Sequence, residues 1–180
     1  TLLNNIQQPN FEQQKALQQL AFFIGVKYFN NQNFKEAIVY FSNSNKYPIN
    51  DTYVYLSNFW ISDCYFYLGE YKKSIIGYSN LPNSRADNLS YYVDLKNYNI
   101  AYSYFQVGDY LNALKWFRYF EKLTSDSMKV NDTYLRIADS YFMNNDFVLS
   151  SKYYNKAIEL DLFDTDYALY QNAVSLNLIN

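Results

Sequence analysis

One pattern recurs four times along this chain and constrains its fold more than any other feature. A small residue is followed by Tyr-Phe three and four places on, an aromatic nine on, a second small residue twelve on and a further aromatic sixteen on. The first copy runs from Gly25 through Tyr28, Phe29, Phe34 and Ala37 to Phe41, and the second from Ser62 through Tyr65, Phe66, Tyr71 and Ser74 to Tyr78. The third runs from Ala101 through Tyr104, Phe105, Tyr110 and Ala113 to Phe117, and the fourth from Ala138 through Tyr141, Phe142, Phe147 and Ser150 to Tyr154. Fixed-period self-similarity of this kind is the mark of stacked repeats, each too small to bury its apolar face alone.

The spacing predicts two helices per copy. The first helices fall at about 11–30, 52–68, 89–106, 131–144 and 166–178, and the second at about 34–46, 71–81, 110–123 and 147–160. Asn33, Gly69-Glu70, Gly108-Asp109 and Asn145-Asp146 supply the turns, as left-handed residues or N-caps. With only four Gly and three Pro in 180 residues, the frequent turns of a sandwich, barrel or propeller are not available. Small residues are expected where two antiparallel helices cross most closely, because a large side chain there would hold the backbones apart.

The pattern resembles the tetratricopeptide repeat (TPR), whose signature has small residues at positions 8, 20 and 27, Tyr at 11, Gly at 15 and aromatics at 17 and 24. The eighth position is held by Gly25, Ser62, Ala101, Ala138 and, in a truncated fifth copy, Ala173. These are 37, 39, 37 and 35 residues apart, against a family unit of about 34. The resemblance covers nearly the whole chain. It implies an all-α, right-handed superhelical α-solenoid of about four and a half repeats in a single domain over 1–180, with repeats near 18–51, 55–88, 94–127, 131–164 and a partial one at 166–180. Tyr167, Leu169, Tyr170, Val174 and Leu176 give the last helix apolar residues on more than one face, which favours a truncated array over a terminal cap.

Composition narrows the function. Lys plus Arg is 15 and Asp plus Glu is 17, with no basic stretch to track a phosphate backbone, so nucleic acid is not an expected partner. No apolar run reaches the roughly 18 residues of a membrane span. There is no His and one cysteine, Cys64, which removes the commonest general base and metal ligand together with every disulfide or zinc cluster. Cys64 reads as a packing residue inside a helix. The acidic run Asp161, Asp164 and Asp166 lacks the Gly and terminal Glu of a calcium loop and reads as a solvated, helix-capping connection. No catalytic residue, cofactor site or metal site is expected.

In the TPR family, positions 2, 5, 9, 12 and 13 of the first helix point into a concave groove. Carried over copy by copy, they give Gln19, Phe22, Val26, Phe29 and Asn30; Leu56, Phe59, Asp63, Phe66 and Tyr67; Leu95, Tyr98, Tyr102, Phe105 and Gln106; and Asp132, Leu135, Asp139, Phe142 and Met143, with Tyr167, Tyr170 and Val174 extending the row. Phe29, Phe66, Phe105 and Phe142 read mainly as core. The partner-facing set is Phe22, Phe59, Asp63, Tyr67, Tyr98, Tyr102, Leu135, Asp139, Met143 and Tyr170. The resemblance thus implies a noncatalytic scaffold that binds a protein or peptide in an aromatic groove. The Lys/Asn clamp that chaperone-cofactor TPRs use to grip an acidic C-terminus is missing, since Phe22, Val26, Phe59 and Asp63 stand at its positions. Phe29–Ile38 and Asp166–Gln171 also resemble phrases of bacterial cell-envelope TPR proteins. The rival reading is a spacer or self-association segment of a longer solenoid.

Overall fold

The structure, a computed structural model, describes residues 8–83 and 87–179. Among these residues there are nine α-helices and no strands: α1 Phe11–Asn30, α2 Phe34–Ser44, α3 Asp51–Tyr67, α4 Tyr71–Ser79, α5 Ser90–Val107, α6 Tyr110–Phe120, α7 Ser127–Met143, α8 Phe147–Leu160 and α9 Thr165–Ile179. A single 3₁₀ turn, Asp87–Leu89, precedes α5. The helices group into two compact units, Thr1–Tyr92 and Val93–Asn180. In the first, α1 packs on α2, α2 on α3 and α3 on α4; in the second, α6 packs on α7, α7 on α8 and α8 on α9.

Three of the odd-numbered helices, α1, α3 and α7, begin on a side-chain cap. Asn10 and Gln13 form a reciprocal capping box at α1, and the Asn50 carboxamide accepts from the Thr52 and Tyr53 amides at α3, each satisfying amides that the helix leaves without an internal acceptor. Asp126 does the same for Met128 and Lys129. That cap starts α7 at Ser127 rather than at the expected residue 131.

The even-numbered helices begin after one left-handed residue. Gln32, Gly69, Gly108 and Asn145 have φ of 59°, 74°, 83° and 60°, and each is followed by the residue that opens the second helix. The expected N-caps are half realised: Asp109 and Asp146 accept from the Asn112 and Leu149 amides, whereas Asn33 and Glu70 make no side-chain cap. In the first copy Gln32, not Asn33, takes the left-handed conformation. A ring-on-ring clip then spans every turn. Phe29–Phe34, Phe66–Tyr71, Phe105–Tyr110 and Phe142–Phe147 are all edge-to-face, with centroids 5.5, 5.4, 5.4 and 5.4 Å apart, the geometry that the aromatic quadrupole favours.

The crossings are as close as the small residues require. A Cβ added to Gly25 would lie 2.7 and 2.8 Å from ring carbons of Phe41. The second small residue, Ala37, Ser74, Ala113 or Ser150, is buried in every copy, and so is the closing aromatic, Phe41, Tyr78, Phe117 or Tyr154. Burying one such ring contributes roughly 1.5–3 kcal/mol. Ala173 departs from the pattern: it is exposed, and α9 buries Ala168, Asn172 and Ser175 instead. This is the face α9 turns to α8, where Ser150 and Ser175 hydroxyls meet at 3.2 Å and Ser151 donates to Asn172 at 2.6 Å. The crossing face that Ala173 marks has no second helix of its own copy among the described residues.

A buried glutamine that the repeat pattern does not reveal secures the first unit. The Gln18 carboxamide donates to the Asn50 carbonyl at 3.1 Å and accepts from the Asn50 amide at 2.9 Å, while Ser44 donates to the Gln18 carbonyl at 2.9 Å. It thereby ties α1 to the end of α2 and the start of α3.

Candidate partner-binding face

The fifth position of each first helix sits deeper than the family register suggests. Phe22, Phe59 and Leu135 are buried. Phe22 packs on Phe41 at 5.8 Å, Phe59 on Tyr78 at 5.3 Å and Tyr98 on Phe117 at 6.1 Å. In each case the ring at position 24 of the second helix reaches across its own hairpin and covers position 5. Phe22 and Phe59 also touch the next helix, through Tyr53 at 5.0 Å and Tyr92 at 5.1 Å. In this structure Phe22, Phe59 and Leu135 are therefore core, and no surface is left on them for a partner. Phe29, Phe66, Phe105 and Phe142, expected to be mainly core, are half-buried.

The acidic ninth positions are internal acceptors. The Tyr78 hydroxyl donates to Asp63, and the Tyr154 hydroxyl donates to Asp139 at 2.6 Å. Where position 24 is Phe, as at Phe41 and Phe117, position 9 is Val26 or Tyr102 and carries no carboxylate. A buried tyrosine hydroxyl needs a partner and a phenylalanine does not, so the two positions vary together. Burial pushes Asp63 up from 3.8 to about 7, opposed by the Tyr78 hydrogen bond. The buried Cys64 thiol beside it is pushed up to about 12, by burial first and then by the Asp63 charge. It stays protonated and is no nucleophile at neutral pH.

In the second unit a polar cluster spans α5, α7, α8 and α9. The Tyr98 and Tyr102 hydroxyls both donate to Asp132 Oδ2, at 2.6 and 2.5 Å. Arg136 Nε lies 3.6 Å from Asp132 Oδ1, and Nη1 bonds Asp139 Oδ2 at 2.5 Å. Asp139 Oδ1 accepts from Tyr154 and also from Tyr167, at 2.7 Å. Burial, then the Asp132 charge, holds the Tyr98 and Tyr102 hydroxyls well above the ordinary tyrosine range, and burial with Asp139 does the same for Tyr154. Tyr167 is pushed up to about 12 by the same two causes. Burial alone would lower Arg136, but Asp139, Tyr102 and Asp132 outweigh it and raise it. The tyrosines and the guanidinium therefore keep their protons at neutral pH. They hydrogen-bond and orient rings, and they carry no group poised to move a proton.

Arg136 was not legible from the repeat register, since it stands at none of the groove positions. Its spacing, four residues after Asp132 and three before Asp139, puts all three on one side of α7 and is the signal that would have found it.

Three of the expected residues are openly exposed. Tyr67 is 59% exposed and stacks flat on Phe34 at 5.0 Å; Met143 and Tyr170 are 53% and 67% exposed. Tyr98 and Tyr102 are half-buried, their rings 4.9 Å apart.

Comparison with known proteins agrees with this geometry. Residues 132–164, essentially the fourth hairpin, match the tetratricopeptide repeat family. No curated protein matches the sequence. Among solved structures, MamA from Desulfovibrio magneticus RS-1, residue 41 to the end, superposes with a TM-score of 0.69 at 13% identity over 90% of each chain. The ArsTM double mutant of RS-1 MamA gives 0.68 at 13% identity, over 89% of this chain and 93% of that one. At such identity the likeness speaks for the fold alone, and it extends that fold well beyond the one matched repeat. Residues 132–164 thus carry a tetratricopeptide repeat, and the fold over most of the chain is that of an all-α solenoid. Among the described residues no helix is long and apolar enough to cross a membrane.

Proposed function

We propose that this chain is a noncatalytic scaffold that holds a protein partner, as an extended segment or a helix, against the aromatic side of its first helices. Each unit offers its own stretch: Tyr67 in the first, and Tyr98, Tyr102, Met143 and Tyr170 in the second. The observation that carries the reading is the lock on Tyr98 and Tyr102. Both hydroxyls are held by one carboxylate, so the rings are fixed before a partner arrives and little side-chain entropy remains to be lost on binding. The likeness of Phe29–Ile38 and Asp166–Gln171 to bacterial envelope TPR proteins supports the cell envelope as the setting.

A photo-crosslinking amino acid placed at Tyr67 or Met143, with the same group at Lys72 or Val148 on the second helices as control, tests this in the source cells. Adducts to another protein are expected from 67 and 143 and not from 72 and 148. Adducts from the control positions alone would overturn the reading.

The alternative, a spacer within a longer solenoid, draws on α1, whose Leu20 and Phe23 are exposed.

A further inference from the structure

The outer side of each second helix repeats a pair that packing does not explain. Lys35 and Val39, Lys72 and Ile76, Leu111 and Lys115, and Val148 and Lys152 each set a lysine and an aliphatic side chain one turn apart, and all eight residues are exposed. Single exposed apolar residues are ordinary on a protein surface, but one in every copy, always a turn from a lysine, is part of the repeat. The pattern is fullest in α6. Leu111 is 71% exposed, more than any other large apolar side chain among the described residues. On the same side the following turns bring Lys115, Arg118, Tyr119 and Lys122, all exposed, whereas α8 has Asn155 and Glu159 in the places of Arg118 and Lys122. No Asp or Glu lies between Tyr110 and Phe120. The two acids that flank α6 are engaged elsewhere: Asp109 accepts from the Asn112 amide and carboxamide at 3.2 and 2.7 Å, and Glu121 accepts from Lys156 at 3.0 Å.

We infer that the outer side of α6 docks on an anionic lipid surface, at the depth of the headgroups. Lys115, Arg118 and Lys122 meet the lipid phosphates, and Leu111 and Tyr119 enter the boundary between headgroups and acyl chains. The lysine stems lie along that apolar boundary while their ammonium groups stay among the phosphates. An acidic polypeptide would answer the three cations but leave Leu111 in water, so lipid fits the pair of features better. The contact is peripheral and needs no spanning helix. With a formal charge of −2 for the whole chain, it is the local excess of cations on α6 that turns this side to an anionic surface. The inference is independent of the aromatic side proposed above, which uses no residue of α6.

The test is co-sedimentation of the whole chain with vesicles of phosphatidylcholine alone and of two parts phosphatidylcholine to one part phosphatidylglycerol. Binding is expected to the mixed vesicles and not to the neutral ones, and it should weaken as salt is raised. The double variant Lys115→Glu, Lys122→Glu should bind at least about tenfold more weakly, and Leu111→Ser, which leaves the charge unchanged, should bind severalfold more weakly. All three side chains are exposed, so circular dichroism of both variants should match that of the parent. Failure of the parent to sediment with the mixed vesicles would overturn the inference, and so would binding unchanged in the lysine variant. A soluble polyglutamate peptide that binds the parent as tightly as the mixed vesicles do, with both unaffected by Leu111→Ser, would also overturn it, by making an acidic polypeptide the occupant.

Discussion

Gly25 shows how much of this fold turns on single atoms. The Phe41 ring lies where a side chain at position 25 would begin, 2.7 Å from the nearest possible Cβ, so the ring must tilt or the helices must part if one is added. Gly25→Ala is therefore expected to destabilise by about 1–3 kcal/mol, although alanine is the better helix former; a thermal melt that does not move would show that α1 and α2 cross elsewhere. At this scale the sequence was legible where chemistry is unambiguous. Glycine, alanine and serine at the crossings and an aromatic sixteen residues on leave little choice of packing. It was not legible where a ring may face either way. Phe22, Phe59 and Leu135 occupy positions that the family register turns to the groove, and only the structure shows that they are buried, the first two under the position-24 ring that reaches across the hairpin. Nor did the register mark Asp63 and Asp139 as acceptors for Tyr78 and Tyr154, because it compares each position between copies and not one position with another.

Between residue and molecule stands the hairpin, closed in each copy by one left-handed residue and one aromatic clip. The chain uses glycine for that residue twice and Gln32 and Asn145 otherwise, yet all four turns share one conformation. A side chain in the left-handed region costs roughly 1–2 kcal/mol, partly offset by the greater freedom of glycine in the unfolded chain. Gln32→Gly should consequently raise stability by about 0.5–1 kcal/mol in urea denaturation, and Gly108→Ala should lower it by a similar amount; nothing crowds a Cβ at Gly108, so φ alone is at issue. Loss of stability in Gln32→Gly would mean that the Gln32 side chain matters more than its backbone. Helix boundaries were mostly legible for the same reason, since turn residues and caps are local. The start of α7 was missed because a repeat of about 34 residues places it at 131, whereas Asp126 supplies its cap earlier.

For the molecule as a whole, the claim is that one hairpin has been laid down four times with the same internal register, its small residues at the crossing and the position-24 ring turned to position 5 or position 9 of its own hairpin. Two of the copies close on a carboxylate and a tyrosine, two on phenylalanine without a carboxylate, and in one register the two solutions are interchangeable. That is why the polar cluster around Asp132, Arg136 and Asp139 can exist in the second unit without disturbing the repeat that carries it. It is also why Ala173, small and exposed, marks a vacant place rather than a failure of the pattern. The most direct test moves the pair of the second and fourth copies into the first. Val26→Asp alone buries a carboxylate and Phe41→Tyr alone a hydroxyl, and each should destabilise. Combined, they should recover about 1 kcal/mol or more relative to the sum of the two, as a double-mutant cycle in urea would read. Strictly additive losses would contradict the shared register on which the account rests.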